Sequence, residues 1–267
     1  MICLFLGDTE FPELVLSKVK SDKLKYFIID LSKKNKFKKD KNSYRISIGK
    51  FGSILKLIHE KKCKKVLFAG KIAKPNLSSL RLDAKGIYYI PRVIKAYKKG
   101  DAAIIKSIIS ILKDEKISVV RSNLFNNDLT VSKGNYTKLK PTLLDKKDIN
   151  TGITFFKRSN PLDHIQAIIV REGKILLKET KLGTSKMILN SKNKKEGILI
   201  KFPKKKQDLR IDLPTIGLNT LKQSKAAGLK GIVVKNKQHV FLDKSKCINF
   251  ANKNKMFISV KWKKYLY

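Results

Sequence analysis

The sequence predicts an α/β protein of two domains: a parallel sheet flanked by helices in the first half, and a second, differently built α/β domain after it. Three observations carry this expectation. Short apolar runs alternate with amphipathic stretches from Met1 to Val120, the pattern dissolves between Asn126 and Pro141, and the chain then resumes with a hairpin-like pair of runs. Strands that alternate with helices bury both faces of a sheet, which favours parallel pairing.

Ile2 to Leu6 is a short apolar strand candidate, followed by the turn Gly7-Asp8-Thr9 and a helical pattern from Phe11 to Val19. Tyr26 to Asp30 reads as a second strand, Gly52 to His59 as a helix, and Lys65 to Ala69 as a buried strand that stops at Gly70. After Gly100, Asp101 caps a long amphipathic helix through Lys116, with Ile104, Ile105, Ile108, Ile109 and Leu112 on its apolar side. Val119-Val120 is a further strand, so the first half is expected to be a Rossmann-like sheet with helices. From Asn126 to Pro141 the residues are mainly Asn, Asp, Gly, Lys and Thr, and the boundary is placed there, giving domains at 1–130 and 131–267. In the second domain Asp145 to Phe156 is helical, and Ala167 to Val170 and Ile175 to Leu177 flank Arg171-Glu172-Gly173-Lys174 as a hairpin would. Leu218 to Ala227 is a helix stopped by Gly228. Gly231 to Val234, His239 to Leu242 and Phe257 to Val260 are strand candidates around a helix from Lys244 to Asn254.

The 267 residues carry 61 Lys plus Arg against 21 Asp plus Glu, a net charge of +40 with His neutral. With 42% hydrophobic residues, 7 Pro and 14 Gly the chain can bury real cores, which excludes a disordered polycation. No apolar run approaches the roughly 20 residues of a membrane-spanning helix. The start, Met1 to Asp8, lacks the basic leader of a secretion signal, so a cytoplasmic location is expected. Cys3, Cys63 and Cys247 lie far apart, without disulfide or thiolate-metal spacing, and read as buried or inert thiols. The charge guarantees attraction to phosphate-rich partners at low salt without choosing among them. The basic residues are mostly Lys and are spread along the chain, and no stretch interleaves them with regularly spaced aromatics, so specific nucleic-acid recognition is not expected. Heavy use of Lys, Asn and Ile together also reads as a bias of the coding DNA that fills permissive surface positions.

The P-loop, zincin, nucleophile-elbow and EF-hand spacings are absent. His59, His164 and His239 are isolated; His164, in Asp163-His164-Ile165-Gln166 just before a strand, could point into a cleft but reads first as a strand-entry residue. The most informative segment runs from Lys201 to Gly217. Pro214 and Thr215 stand where a helix could start and Gly217 lets the backbone come close, so amides there could face a phosphate. Asp212 beside it could hold Mg²⁺ or orient and deprotonate water, and Lys201 or Arg210 could neutralise diphosphate oxygens. From residue types alone, a capped turn with a salt bridge is the better reading of the segment.

Asp212-Leu213-Pro214-Thr215-Ile216-Gly217, Phe68-Ala69-Gly70-Lys71, Ser78-Ser79-Leu80-Arg81-Leu82-Asp83-Ala84-Lys85-Gly86, Lys99-Gly100-Asp101 and Ala227-Gly228-Leu229-Lys230-Gly231-Ile232 add a resemblance. Together these blocks resemble the LpxI-type UDP-2,3-diacylglucosamine diphosphatases of lipid A biosynthesis, from Met1 to about Val260. The resemblance implies a two-domain enzyme that clamps its lipid ligand between the domains. It would hydrolyse the diphosphate with Mg²⁺, water attacking the phosphorus on the sugar side, and release UMP and 2,3-diacylglucosamine 1-phosphate. It implies Asp212 as the catalytic and metal-holding carboxylate, and it carries over Asp208, Gln166 and Glu179 by residue type. Gly7, Gly70, Lys71, Asp83, Gly100, Asp101, Gly183, Thr184, Lys201, Leu213, Pro214, Thr215 and Gly217 complete the expected substrate contacts. It further implies a peripheral association with the anionic inner-membrane surface and leaves a homodimer open.

The chain also departs from the pattern. Relatives carry Gly-Gly-Gly where this chain has Gly7-Asp8-Thr9, and Gly-Thr-Asp where it has Gly183-Thr184-Ser185, which removes a carboxylate. Lys204-Lys205-Lys206 replaces a stretch richer in Pro and Gly, so a more mobile loop is expected there. Domain closure is expected about the Asn126 to Pro141 connection. Ile104, Ile105 or Phe155-Phe156 could line an acyl groove, with a core role the stronger expectation. Rival readings are a catalytically impaired nucleotide-sugar or lipid binder and a basic nucleic-acid-binding protein.

Overall fold

The computed structural model describes residues 1–72, 76–121, 129–159, 165–191, 197–205 and 207–261. The chain divides into two compact units, Met1–Asn126 with Asp208–Asp212, and Asn127–Gln207 with Leu213–Tyr267. Both are α/β.

In the first unit, β1 (Ile2–Leu6), β2 (Tyr26–Asp30), β3 (Ser43–Tyr44), β4 (Lys65–Ala69) and β5 (Ser118–Val120) form a parallel sheet in the order β3-β2-β1-β4-β5. The connections carry α1 (Phe11–Ser21), α2 (Phe51–Glu60), a 3-10 turn at Leu77–Ser79, α3 (Ala84–Tyr97) and α4 (Asp101–Asp114). β1 is buried at every position, as its unbroken apolar run requires of a central parallel strand. Ile54, Leu55 and Ile58 of α2 pack with Phe5, Phe27, Val66 and Phe68 into one core, and Ile211 of the Asp208–Asp212 segment lies against it. The sequence did not reveal α3. Its Pro91 sits in the helix interior, a position where proline ordinarily ends a helix. At α4 the cap is Gly100, with φ 95°, rather than Asp101, because the chain enters the helix through a left-handed residue. The placement of the Asp101 side chain lies outside the description.

In the second unit the elements run β6 (Gly134–Asn135), α5 (Leu143–Arg158), β7 (Ala167–Arg171), β8 (Lys174–Lys178), α6 (Thr184–Asn190), β9 (Ile198–Lys201), β10 (Thr215–Ile216), α7 (Leu218–Ala226), β11 (Gly231–Lys235), β12 (Val240–Phe241), α8 (Lys244–Lys253) and β13 (Phe257–Lys261). Six strands join in the order β6-β13-β11-β9-β7-β8, with β13, β11 and β9 mutually parallel and the β7–β8 hairpin and β6 antiparallel. β10 and β12 form a separate parallel pair. Alternate strand residues feed two cores. Ile168, Ile200 and Val233 meet Ile149 and Phe156 of α5, and Ile169, Leu199 and Ile232 meet Ile188, Leu221 and Cys247. α5 starts on a reciprocal cap, Thr142 with Asp145, and the buried Asp145 also pairs with Lys230 at 2.7 Å.

Several expectations change here. α6 and β9 were not foreseen: each is short, and β9 ends in a lysine. Thr215 does not begin a helix; it and Ile216 pair with Val240 and Phe241, and the helix starts at Leu218 behind Gly217. The strand expected over His239–Leu242 is Val240–Phe241 in that small pair. Within 126–141, residues 126–128 lie outside the described ones, whereas Leu129 and Val131 are buried and Gly134–Asn135 pairs with β13. The cysteines are free and buried; burial, reinforced by Cys63, raises the Cys3 thiol well above its ordinary pKa, and burial, with Asp243, raises Cys247 to about 12. His164 and Lys206 lie outside the described residues. Ile104 and Ile105 are half-buried, as is Phe155, while Phe156 is a core residue.

Candidate active site

In the first unit the chain winds from β1 towards β3 on one side and from β4 to β5 on the other, so the carboxyl ends of β1 and β4 form the topological switch point where open α/β sheets bind ligands. Gly7, Asp8, Gly70 and Lys71 are the residues that follow those two strands. They touch one another. Asp8 and Lys71 form a two-way backbone bridge, N to O at 2.8 and 3.0 Å. A side chain on Gly7 would run into the Lys71 carbonyl, and one on Gly70, at φ +85°, into the Asp8 carbonyl and the Pro12 ring. These two glycines are therefore required for the crossing of two chain segments, and the exposed Lys71 side chain is left at its rim. Thr9, where a third glycine of the family pattern would stand, holds φ 88°. A β-branched residue is strained in that region.

Asp83 has another kind of environment. Its Oδ1 accepts the amides of Gly86 at 2.8 Å and Gly52 at 3.0 Å, and its Oδ2 accepts the amide of Ser53 at 3.0 Å and, at 3.4 Å, its hydroxyl. One carboxylate thus caps its own helix, α3, and also the first turn of α2, whose cap residue Lys50 supplies no side-chain bond. Burial works to raise the Asp83 pKa, but the amides of Gly52, Gly86 and Ser53 outweigh it and hold the carboxyl below its ordinary range. Gly100 faces open space.

In the second unit, the sheet register sets Lys201, the last residue of β9, between Ala167 of β7 and Val234 of β11, at the carboxyl end of the parallel strands. Lys201 is 7% exposed and its Nζ donates to the Thr215 carbonyl at 3.2 Å. Burying an ammonium is costly unless it is hydrogen-bonded, and the Thr215 carbonyl supplies such a bond. Next to β9, Gln166 leads into β7: its amide donates to Glu179 Oε2 at 2.9 Å and its carbonyl accepts from Phe202. Its side-chain Oε1 is buried without a hydrogen bond to the described residues. Glu179, itself 6% exposed, accepts the Thr184 hydroxyl on Oε1 at 2.7 Å. Gly183, at φ 88°, is the cap that turns the chain into α6 so that Thr184 faces back to Glu179. Gln166, Glu179 and Thr184 thus form one hydrogen-bonded group, and Lys201 bonds Thr215 of β10.

The block from Asp212 to Gly217 is built in two parts. Leu213 accepts the Thr215 hydroxyl at 3.3 Å, Pro214 accepts the Val240 amide at 2.9 Å, and Gly217 caps α7 in extended conformation, φ −147°. The preceding Asp208–Asp212 belongs to the first unit. There Asp208 grips Arg210 in a two-pronged ion pair, Oδ1 to Nε 2.9 Å and Oδ2 to Nη2 2.6 Å, and its carbonyl accepts the Asp212 amide at 2.9 Å. Arg210, with burial opposing, holds the Asp208 carboxyl below its ordinary pKa. The Asp212 side chain is exposed.

His239, expected to be structural or exposed, is fully buried just before β12 with Nδ1 3.2 Å from the Lys235 carbonyl. Burial, opposed by that hydrogen bond and reinforced by the charge of Lys201, pushes its pKa down to about 3. A neutral imidazole thus lies close to the one buried lysine among the described residues; only its isolation in sequence was visible. Among the described residues no three His, Cys, Asp or Glu side chains stand close enough to form a metal cluster. Asp212 offers a single exposed carboxylate, so a Mg²⁺ held there would take its other ligands from oxygens that are not protein carboxylates.

Comparison with known proteins adds two findings. The family model described as the LpxI N-terminal domain matches residues 1–129, and that described as the LpxI C-terminal domain matches residues 132–259. A relative from Caulobacter vibrioides, a UDP-2,3-diacylglucosamine pyrophosphatase LpxI, is 30% identical over 223 residues, covering 80% of this chain and 80% of its own.

Proposed function

The chain belongs to the LpxI family, and from that premise we propose that it hydrolyses the diphosphate of UDP-2,3-diacylglucosamine to UMP and 2,3-diacylglucosamine 1-phosphate. The observation that supports this most directly is the buried Lys201 at the carboxyl end of its sheet, bonded to Thr215 of the Asp-Leu-Pro-Thr-Ile-Gly block. A diphosphate brings negative charge that must be offset while water approaches phosphorus. Lys201 is the cation assigned to that task; Thr215 and the backbone at Gly217 add hydrogen bonds. Asp212 is the carboxylate that orients water and accepts its proton. Water forms its bond to the phosphorus on the sugar side as the bridging P–O bond breaks, and the electron pair leaves on UMP. Mg²⁺, held by Asp212 and the phosphate oxygens, would supply further charge neutralisation.

Gln166, Glu179 and Thr184 are taken as the group that fixes the substrate against β7 and β9, and Asp208 as the group that holds the Asp212 turn. Gly183, Leu213 and Pro214 shape the backbone around these contacts, and Gly7, Gly70, Lys71, Gly100 and Asp101 are kept as substrate contacts expected of the first unit. The protein is read as cytoplasmic, and no helix among the described residues is long and apolar enough to cross a membrane.

The test is release of UMP by the purified chain with Mg²⁺. Asp212→Asn is expected to lower turnover at least ~10²-fold, several kcal/mol of transition-state stabilisation, with substrate binding retained. Normal turnover in that variant would remove the role given to Asp212; binding without turnover in the wild type would favour the impaired-binder reading suggested by Gly183-Thr184-Ser185.

A further inference from the structure

Helix α3 packs with one side only. Tyr89 and Ala96 are buried, and Lys85, Tyr89 and Arg92 tie that side to the end of α4: Lys85 and the Tyr89 hydroxyl reach Glu115 at 2.6 Å each, and Arg92 reaches Asp114 at 2.6 Å and Ser110 at 2.9 Å. Positions 85, 89, 92 and 96 repeat at the helical period, so 87, 91, 94 and 98 lie opposite them. That opposite side should be polar on a helix that faces only water. Instead it carries Ile87, 61% exposed, Pro91 and Ile94, 40% exposed, with Tyr88, 70% exposed, on its flank. The helix continues into Lys95, Lys98 and Lys99, all exposed.

We propose that this outer face of α3 is the surface with which the protein lies on an anionic bilayer. Apolar side chains beside a tyrosine ring and followed by lysines match the layered chemistry of the membrane interface, where acyl chains, headgroup carbonyls and anionic charge follow one another. The charge decides between this occupant and a second copy of the chain. Each copy carries +40, so two such faces would bring like charges together, whereas an anionic surface satisfies both the apolar stripe and the lysines. The inference rests on the reading that the substrate is a lipid, and it adds the place at which the protein meets the bilayer that contains it.

The experiment uses the full chain, co-sedimented with vesicles of phosphatidylcholine and phosphatidylglycerol in equal parts, and with vesicles of phosphatidylcholine alone. Wild type should sediment with the anionic vesicles, and Ile87→Glu/Tyr88→Glu should weaken this at least tenfold. Leu143→Glu/Leu144→Glu, which alters an exposed apolar pair in the other unit, should bind as wild type. If the α3 double variant fails to fold by circular dichroism, the single variant Ile94→Glu is read in its place, with at least a threefold loss expected. Unchanged vesicle binding in the α3 variant, equal loss in the Leu143/Leu144 variant, or a fall in sedimenting mass of the free protein would each overturn the proposal, the last in favour of self-association. UMP release is measured in parallel on detergent-dispersed substrate. Vesicle binding without any UMP release would overturn the hydrolytic reading and leave the surface assignment standing.

Discussion

Replacing Asp83 by alanine should cost stability before it costs anything else. The carboxylate accepts three backbone amides in the first turns of two helices: it is the cap of α3, and it also serves α2, whose own cap residue supplies no side-chain bond. Losing a helix cap costs about 1 kcal/mol, and hydrogen bonds to a charged acceptor are worth about 1.5–3 kcal/mol each before water replaces them. With two helix starts released and water able to reach the half-buried site, the expected loss is about 3 kcal/mol. For a unit of this size that is a fall in melting temperature of roughly 10 °C. Asp83→Asn, which keeps an acceptor but not the charge, should lose about half as much. The pH dependence follows from the depressed carboxyl. Its contribution is complete above the unfolded carboxylate pKa of about 3.9 and is lost as pH falls through the lower folded value, so the difference between wild type and Asp83→Asn should shrink in acid. The assay is thermal unfolding by circular dichroism at neutral pH and below pH 4. If Asp83→Ala melted with the wild type yet released no UMP, the carboxylate would be a substrate contact and the clamp reasoning would be refuted.

Thr9→Gly should relieve the strain at φ 88° and raise stability by about 1 kcal/mol, read as a higher melting temperature; a fall would mean that the Thr9 side chain makes a compensating contact. Gly7→Ala should be destabilised by about 2 kcal/mol, because its methyl group meets the Lys71 backbone rather than a movable side chain. His239 is neutral when folded, with its pKa near 3, but takes up a proton near pH 6.5 when unfolded. Stability should therefore fall as pH drops from about 6.5, by up to ~1.4 kcal/mol per unit from this group, and His239→Gln should flatten that slope in urea titrations.

The sequence by itself determined the elements whose cause is local. Ile2–Leu6, Tyr26–Asp30 and Lys65–Ala69 are strands because each is built on an apolar run of four or five residues, and α2, α5, α7 and α8 show their period within a dozen residues. The membership of the chain was legible as well, since the Asp-Leu-Pro-Thr-Ile-Gly block is contiguous and the family models match both halves. The tertiary structure decided what depends on distant partners. Thr215 looked like a helix start, but its segment is held by amides of Val240 and Leu242, a pairing no local window contains. Asp83 is expected as a substrate contact from the family resemblance, and only the fold shows that its carboxylate bonds amides some thirty residues earlier. β9 and α6 are too short to show a period, and they matter because the sheet places Lys201 beside Ala167 and the turn into α6 brings Thr184 to Glu179. Periodicity reports which side of an element is buried; hydrogen bonds between residues far apart in sequence settle which polar groups remain available for a ligand, and only the folded chain brings those residues together.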